Sequence, residues 1–503
     1  MSPERPGRAR RVLVAQAYFL KFDPKLEHAG QPLPPLGSLI AAAVLRERGF
    51  DVRFFDSMLA SSEEECALAM DHEKPDTLVI FEDSFNYLTK MCLERMREAA
   101  VRLIGMATAR NIEVVVSGSD PSDDPGFFLG AGASAVAVGE GEYAVADWLS
   151  APRRSVEIAG IKTLGTDGTV LGGAPRPPVR DLDSIPSPAW DLINIEAYRR
   201  VWASSRRPFT LPLATSRGCP FHCNWCAKPI WGQRYAAMSP ARAARDVLAL
   251  KRLGAARINV LDDIFGLKPG WLEEFGAELA RLDCVVPFRC LSRADLLNQR
   301  AVTALSRAGC DMVWIGAESG SQKILDAMEK GTTVEEIRGA RERLGAKSIK
   351  VGFFLQFGYP GEDDTDVAAT LKLMDEAHPD DIGISVSYPL PGTRFYERVR
   401  TEMDLATHWR DSSDLAMLFH NAHGTRYYRA LHAYAHARFR LALMLRDDQR
   451  KPFDRALRVA WYGVRRVMTR ASLALAARER VRTRPLAPQL SRERAATPSE
   501  SAT

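Results

Sequence analysis

At 503 residues the chain exceeds a single ordinary core and is long enough for two to four domains. Hydrophobic residues make up 46% and charged residues 26%, the balance of a globular chain in contact with water. The net charge of +5 hides an asymmetry, because the eleven basic and two acidic side chains between Arg450 and Arg484 give a local +9 and leave −4 elsewhere. A slightly acidic body argues against nucleic acid as its partner. No run reaches the ~18 apolar residues of a membrane span, and the start MSPERPGRARRVLVAQAYF lacks an apolar core followed by a small-residue cleavage site. The expected location is the cytoplasm, where thiols stay reduced and clustered cysteines are metal ligands or catalytic groups more often than disulfides.

Residues 1–10 are expected to be disordered. From 11 to 150 strands and helices alternate: Val12–Ala15, Asp51–Phe55, Thr77–Phe81, Ile112–Val116 and Ala133–Val138 read as strands, Leu36–Gly49 and Leu93–Ala109 as helices. That alternation predicts a parallel, doubly wound α/β sheet whose ligand site lies beyond the carboxyl ends of its strands. The segments there are QAYFLKFD, EDSFNY, SGSDPSDD and GEGE. Residues 151–205 contain PRPPVRDLDSIPSPAWD and read as a Pro-rich linker rather than a domain.

The alternation resumes over 206–397. Strands are expected at Pro212–Thr215, Arg257–Leu261, Val286–Arg289, Met312–Gly316, Val351–Phe354 and Ile382–Ser387, with helices between most of them. About six such units suggest a partial (β/α)6 barrel with its active site at the carboxyl ends. Residues 398–484 read as a helical domain. The tail from 485 to 503, rich in Pro, Ser, Ala and charge, reads as disordered.

The turn after the first barrel strand is CPFHCNWC, which packs Cys219, Cys223 and Cys226 into eight residues of a chain with eight cysteines. Structural zinc takes four ligands, and no second CxxC or His pair follows; His222 lies inside the loop between two thiols. A redox pair would use Cys223 and Cys226 and leave Cys219 without a role. Three unrelated core thiols would not crowd a Gly- and Pro-punctuated turn. A cubane iron–sulfur cluster explains the number, since three thiolates leave one of four irons open to a ligand that is not protein.

CxxxCxxC with the aromatic Trp225 before its last Cys resembles the radical S-adenosylmethionine superfamily. The resemblance implies a 4Fe-4S cluster on Cys219, Cys223 and Cys226 whose open iron binds S-adenosyl-L-methionine and splits it into methionine and a 5′-deoxyadenosyl radical. In LDDIF, Asp262 and Asp263 stand where the family often has Gly-Gly-Glu, a departure shared with its cobalamin-linked branch. Arg293 in LSRADLL is expected to pair with the methionine carboxylate. WIGAESGS, with Glu318 and Ser319, resembles the ribose-contacting segment, and FLQFGYPGED, with Gln356, Gly358 and Glu362, the adenine-side loop. Cys66, Cys92, Cys284, Cys290 and Cys310 are isolated and read as structural, Cys310 alone lying close to a barrel strand.

The first helix of the N-terminal sheet lacks GxGxxG, so a dinucleotide is not indicated. The pattern PPLG…GFDVRFFD, followed by SGSDPSDDP and AVAVGEGE, resembles the flavodoxin/Rossmann-like cobalamin-binding domain fused to radical enzymes. The likeness is to the branch of anaerobic porphyrin-ring cyclases and phosphonate methylases. It implies corrin contacts at Pro35, Leu36, Gly37, Ser84, Phe85, Ser117, Gly118, Gly139, Glu140, Gly141 and Glu142. The lower-ligand motif Asp-x-His-x-x-Gly is missing, since Asp23 and His28 are five apart, so no histidine is expected on the cobalt; the lower face would meet Phe85, Tyr87 or water.

What the resemblance implies is a cobalamin-dependent methyltransferase acting on an unactivated carbon of a small-molecule or lipid substrate, with a flavodoxin- or ferredoxin-type electron donor. Ring closure or rearrangement without methyl transfer, and a non-catalytic cobalamin or redox sensor, are the other readings. Leu457, Trp461, Val464, Met468 and Leu475 recur at helical spacing among Arg455, Arg458, Arg465, Arg466 and Arg470. That pattern suits either an interfacial membrane helix or a basic helix folded onto the acidic body.

Overall fold

The computed structural model describes residues 9–91, 93–151, 157–228, 230–403, 408–446 and 452–478. Cys92, the 485–503 tail and all but two residues of the 1–10 start lie outside them.

Seven strands build the first sheet: β1 (Arg11–Ala15), β2 (Asp51–Phe54), β3 (Thr77–Phe81), β4 (Glu113–Ser117), β5 (Ala135–Ala137), β6 (Ile161–Leu164) and β7 (Val170–Gly172). Their order is β2-β1-β3-β4-β5-β6-β7. The first five pair in parallel, with Val12 opposite both Val52 and Thr77. Runs such as VLVA and TLVIF are apolar on both faces because helices cover both sides. Leu36–Glu47 and Gly141–Ser150 pack on one face, Glu64–Glu73 and Glu94–Thr108 on the other.

The linker reading of 151–205 needs correction. β6 and β7 add an antiparallel hairpin to the sheet, and helix Ile195–Ser204 docks back on the domain. Tyr198 donates its hydroxyl to Asp56 at 2.9 Å, and Trp202 donates its indole N–H to the Pro32 carbonyl at 2.7 Å. IKTL and VLG are too short to show a period, and prolines dominate the composition around them.

The second sheet holds β8 (Thr210–Leu213), β11 (Arg257–Val260), β12 (Phe288–Ser292), β13 (Cys310–Glu318), β14 (Lys350–Phe357) and β15 (Asp381–Val386), in the order β15-β14-β13-β12-β11-β8 and parallel throughout. Sequential neighbours with helices between them form a half-barrel. A two-stranded piece, β9 (Ser216–Arg217) with β10 (Ala236–Ala237), leads into and out of the cysteine loop. Leu36, Ile40, Phe85, Leu182, Ile185, Ala214, Trp231 and Met238 form an apolar seam between the two sheets. Helix Thr425–Arg446 lies on the last barrel unit, where Asn421 donates to the Gly358 carbonyl at 2.6 Å and Arg438 pairs with Asp375. Helix Pro452–Ala477 packs along it.

Candidate active site

Gly218, at φ +77°, precedes the first thiol, and a Cβ there would stand 2.2 Å from the Arg234 carbonyl oxygen. Only glycine fits this left-handed turn. Upstream, buried Asp262 accepts from the Thr215 amide and hydroxyl, both at 2.6 Å, and from Ser216 Oγ at 2.7 Å. Arg217 pairs with Glu140 at 2.9 Å and with Glu142 at 2.7 Å, tying the root of the loop to the first domain. Downstream, Asn224 donates to the Ala327 carbonyl at 2.8 Å and accepts from the Tyr359 hydroxyl at 2.8 Å. The cysteine loop is held at both ends.

Cys223 is buried and Cys219 and Cys226 are half-buried, while His222 between them is exposed. Arg293 donates to Cys223 Sγ at 3.6 Å and lies 3.8 Å over the Phe221 ring. Burial pushes the Cys226 thiol up to about 12, with Asp263 adding to the effect, and raises Cys219 in the same way. Buried thiols of this kind need bound positive charge to become thiolates. Among the described residues no three His, Cys, Asp or Glu side chains gather tightly enough for a single ion. Cluster ligation asks for something different, since each thiolate binds its own iron. The indole N–H of Trp225, beside Cys226, is buried without a partner. A cation beside the loop and a free donor fit an anionic cluster held by three thiolates.

Strand β13 brings a further buried group to this end of the sheet. The β13–β14 register shifts between Gly316 and Glu318, and Glu318 takes φ +57°. That bulge turns its side chain back to Lys330 Nζ at 2.8 Å, with both groups buried. Left-handed backbone at a non-glycine residue costs on the order of 1–3 kcal/mol and persists only where the surroundings enforce it. Ser319 bonds Thr370 at 3.0 Å, and Gln356 donates to Ser387 at 2.9 Å. Glu362 accepts from the Gly358 amide at 2.6 Å with one oxygen, leaves the other unpartnered, and is pushed by burial to about 8.

The structure gives several expected contacts other partners. Asp262 is taken up by Thr215 and Ser216, whereas Asp263 lies within electrostatic reach of Cys219 and Cys226. Arg293 spends most of its fork on Asp295 at 3.0 and 3.1 Å. Lys330 was invisible in the sequence: it follows a short helix in EKGTT, with no strand end or motif to mark it.

At the first sheet's carboxyl edge, Leu36 and Phe85 line the seam, where the Phe85 ring sits 4.9 Å from Trp231, so packing accounts for both. Pro35 caps helix Leu36–Glu47, and Gly37 donates its amide to Asp83 at 2.9 Å beside Ser84. A Cβ at Gly141 would stand 2.0 Å from Ser117 Oγ, and one at Gly118 2.2 Å from a Glu82 carboxyl oxygen. These two glycines are required by the protein's own side chains. A Cβ at Gly139 would meet nothing closer than the Ile230 carbonyl oxygen at 4.0 Å, while its amide donates to Ser122 Oγ at 3.1 Å. Asp23 caps a helix and His28 is exposed.

Gln16 (both amide atoms), Glu82 Oε2 and Ser119 Oγ are buried with no partner at the ends of β1, β3 and β4. Burial and Asp120 raise the Glu82 carboxyl well above its usual range, which leaves it a hydrogen-bond donor. Donors and acceptors without partners fit a cofactor fringed with amides. Tyr87, 57% exposed, lies within electrostatic reach of Tyr388, Glu318 and Cys226.

Comparison with known proteins gives two family matches: "Radical SAM superfamily" over residues 213–374 and "B12 binding domain" over 25–149. An uncharacterized methyltransferase of Pyrococcus horikoshii is 27% identical over 391 residues, 75% of this chain and 81% of that one. The hopanoid C-3 methylase of Methylococcus capsulatus is 26% identical, covering 72% of this chain and 68% of its own length. The anaerobic magnesium-protoporphyrin IX monomethyl ester cyclase of Rubrivivax gelatinosus is 25% identical over 54% of this chain and 50% of the enzyme. Among solved structures, the radical S-adenosylmethionine methyltransferase TsrM of Kitasatospora setae, with cobalamin and an iron–sulfur cluster bound, has the same fold at TM-score 0.63 and 18% identity, covering 75% of each chain.

Proposed function

From the premise that this chain belongs to the radical SAM superfamily and carries a B12 binding domain, we propose that it is a cobalamin-dependent methyltransferase acting on an unactivated carbon. When bound, S-adenosylmethionine on the cluster supplies a 5′-deoxyadenosyl radical and cobalamin carries the methyl group. The observation that carries the reading is the join of two carboxyl edges: a three-thiol loop on one is tied through Arg217 to Glu140 and Glu142 on the other, which keeps unpartnered buried polar atoms. Methyl donor and hydrogen-abstracting centre must meet one substrate, and joined edges allow this.

In this reading Cys219, Cys223 and Cys226 hold the cluster, and Arg293 and Lys330 lower the cost of burying its negative charge. Glu318, Ser319, Gln356 and Glu362 hold the cosubstrate. Asp262 and Arg217 fix the loop from outside the reacting atoms. Gln16, Glu82, Ser119 and the open turn at Gly139 meet the corrin amides. The substrate is a small molecule or lipid, and reduction comes from a one-electron donor of the flavodoxin or ferredoxin type in the cytoplasm.

The test is anaerobic reconstitution with hydroxocobalamin, reductant, S-adenosylmethionine and candidate substrates. Methyl transfer predicts S-adenosylhomocysteine and 5′-deoxyadenosine in matching amounts. Deoxyadenosine without S-adenosylhomocysteine would transfer the reading to ring closure, which the similarity to the Rubrivivax cyclase favours. Cobalamin binding with no cleavage of S-adenosylmethionine under any condition would leave a sensor.

A further inference from the structure

The last described helix, Pro452–Ala477, presents its apolar side to solvent. Phe453 is 77% exposed, Val467 69%, Met468 65%, Trp461 62%, Val464 58% and Leu457 56%. At about 100° per residue these side chains, with Leu475, occupy one arc of about 120°. The opposite side meets helix Thr425–Arg446, and of its residues Leu473, Ala476 and Ala477 join the core. The helix is thus folded onto the body by its other side, and the apolar stripe is turned away from it. Contiguous apolar surface of this kind marks an interaction site.

The flanks identify the partner. On the wheel Arg458 and Arg465 border the stripe on one side and Arg470 on the other, and all three are exposed. The segment from Arg450 to Arg484 carries +9 against −4 on the remainder. An apolar stripe between arginines matches a bilayer surface, acyl chains under the stripe and anionic headgroups at its borders. No helix of the described residues is long and apolar enough to cross a membrane, so the helix would lie in the interface plane.

We propose that helix Pro452–Ala477 docks the enzyme on an anionic lipid surface, with Phe453, Leu457, Trp461, Val464, Met468 and Leu475 entering the acyl boundary and Arg458, Arg465 and Arg470 meeting phosphates. The acidic body is repelled by the same surface and stands away from it. This property concerns where the enzyme works and is independent of the reaction it performs.

The experiment is co-sedimentation of the full reconstituted chain with vesicles of equal parts phosphatidylglycerol and phosphatidylcholine, or of phosphatidylcholine alone. Binding is expected to the anionic vesicles, at least about tenfold tighter than to the neutral ones, and to weaken as salt rises. L457D/V464D abolishes it without changing the cluster spectrum. R458Q/R465Q/R470Q, which keeps the apolar stripe and the helix, weakens it about fivefold per charge. Wild-type protein that ignores anionic vesicles, or variants that bind as the wild type does, would overturn the proposal. So would a native dimer that L457D/V464D converts to monomer, which would assign the stripe to a second copy.

Discussion

The carboxyl edges of the two parallel sheets are finished differently. On the barrel edge most of the buried polar groups described satisfy one another, Glu318 with Lys330, Asp262 with Thr215 and Ser216, Ser319 with Thr370, and only Trp225 Nε1 and Glu362 Oε1 among them stay open. On the N-terminal edge Gln16, Glu82 and Ser119 stay unpartnered. Leaving a buried polar group unsatisfied costs on the order of 1–3 kcal/mol. A protein bears that cost where a ligand removes it. The barrel edge is therefore preorganised around its thiols, and the other edge is completed by what it binds.

Removing a thiol is the severest way to break the contrast. Cys223→Ala should abolish the cluster absorbance and 5′-deoxyadenosine formation while leaving hydroxocobalamin binding intact. Loss of both together would show that the edges are not separable. Next comes the barrel's own ion pair. Lys330→Met leaves Glu318 buried and unpaired, and should cost about 3–5 kcal/mol in denaturant unfolding. The double variant E318Q/K330M should recover most of that loss, and failure to recover would mean that Lys330 acts elsewhere.

A smaller effect is expected at the ligand-completed edge. Glu82→Gln should weaken hydroxocobalamin about tenfold, roughly 1.4 kcal/mol, in a spectroscopic titration. Unfolding of the cofactor-free protein should hardly change. A separate effect, on pH dependence, concerns Glu362, the one barrel-edge group in this set with an oxygen left open. Its carboxyl is raised from an ordinary 4.5 to about 8, so the folded state holds a proton that the unfolded chain releases. Its contribution is fully present below about 4.5 and is lost progressively as pH rises to about 8. Glu362→Gln should flatten stability over that window, as read from unfolding midpoints at pH 5 and pH 8.5. An unchanged slope would remove Glu362 as its source.

Much of this architecture was legible in the residues. Strand positions followed from runs such as VLVA and TLVIF that helices bury on both faces, and helix positions from three-and-four spacing. CPFHCNWC carried its chemistry in spacing alone, because a local loop can present three thiols without help from distant chain. The hairpin Ile161–Gly172 escaped notice because its strands are three or four residues long. Leu36, Phe85, Gly118 and Gly141 occupied the right places for a different reason, since packing within the protein accounts for each. Cys310 begins β13 at the end away from the site, with its sulfur 4.0 Å from that of Cys290 in β12.

The sequence by itself determined the two wound units, the spacing of the three thiols and the amphipathic pattern of the last helix, because these depend on neighbours within about ten residues. Tertiary structure alone decided that Lys330 meets Glu318 and that Arg217 of the barrel binds Glu140 and Glu142 of the other domain. It also decided which way the last helix faces. Periodicity shows that a helix has an apolar side, but only packing shows whether that side is covered.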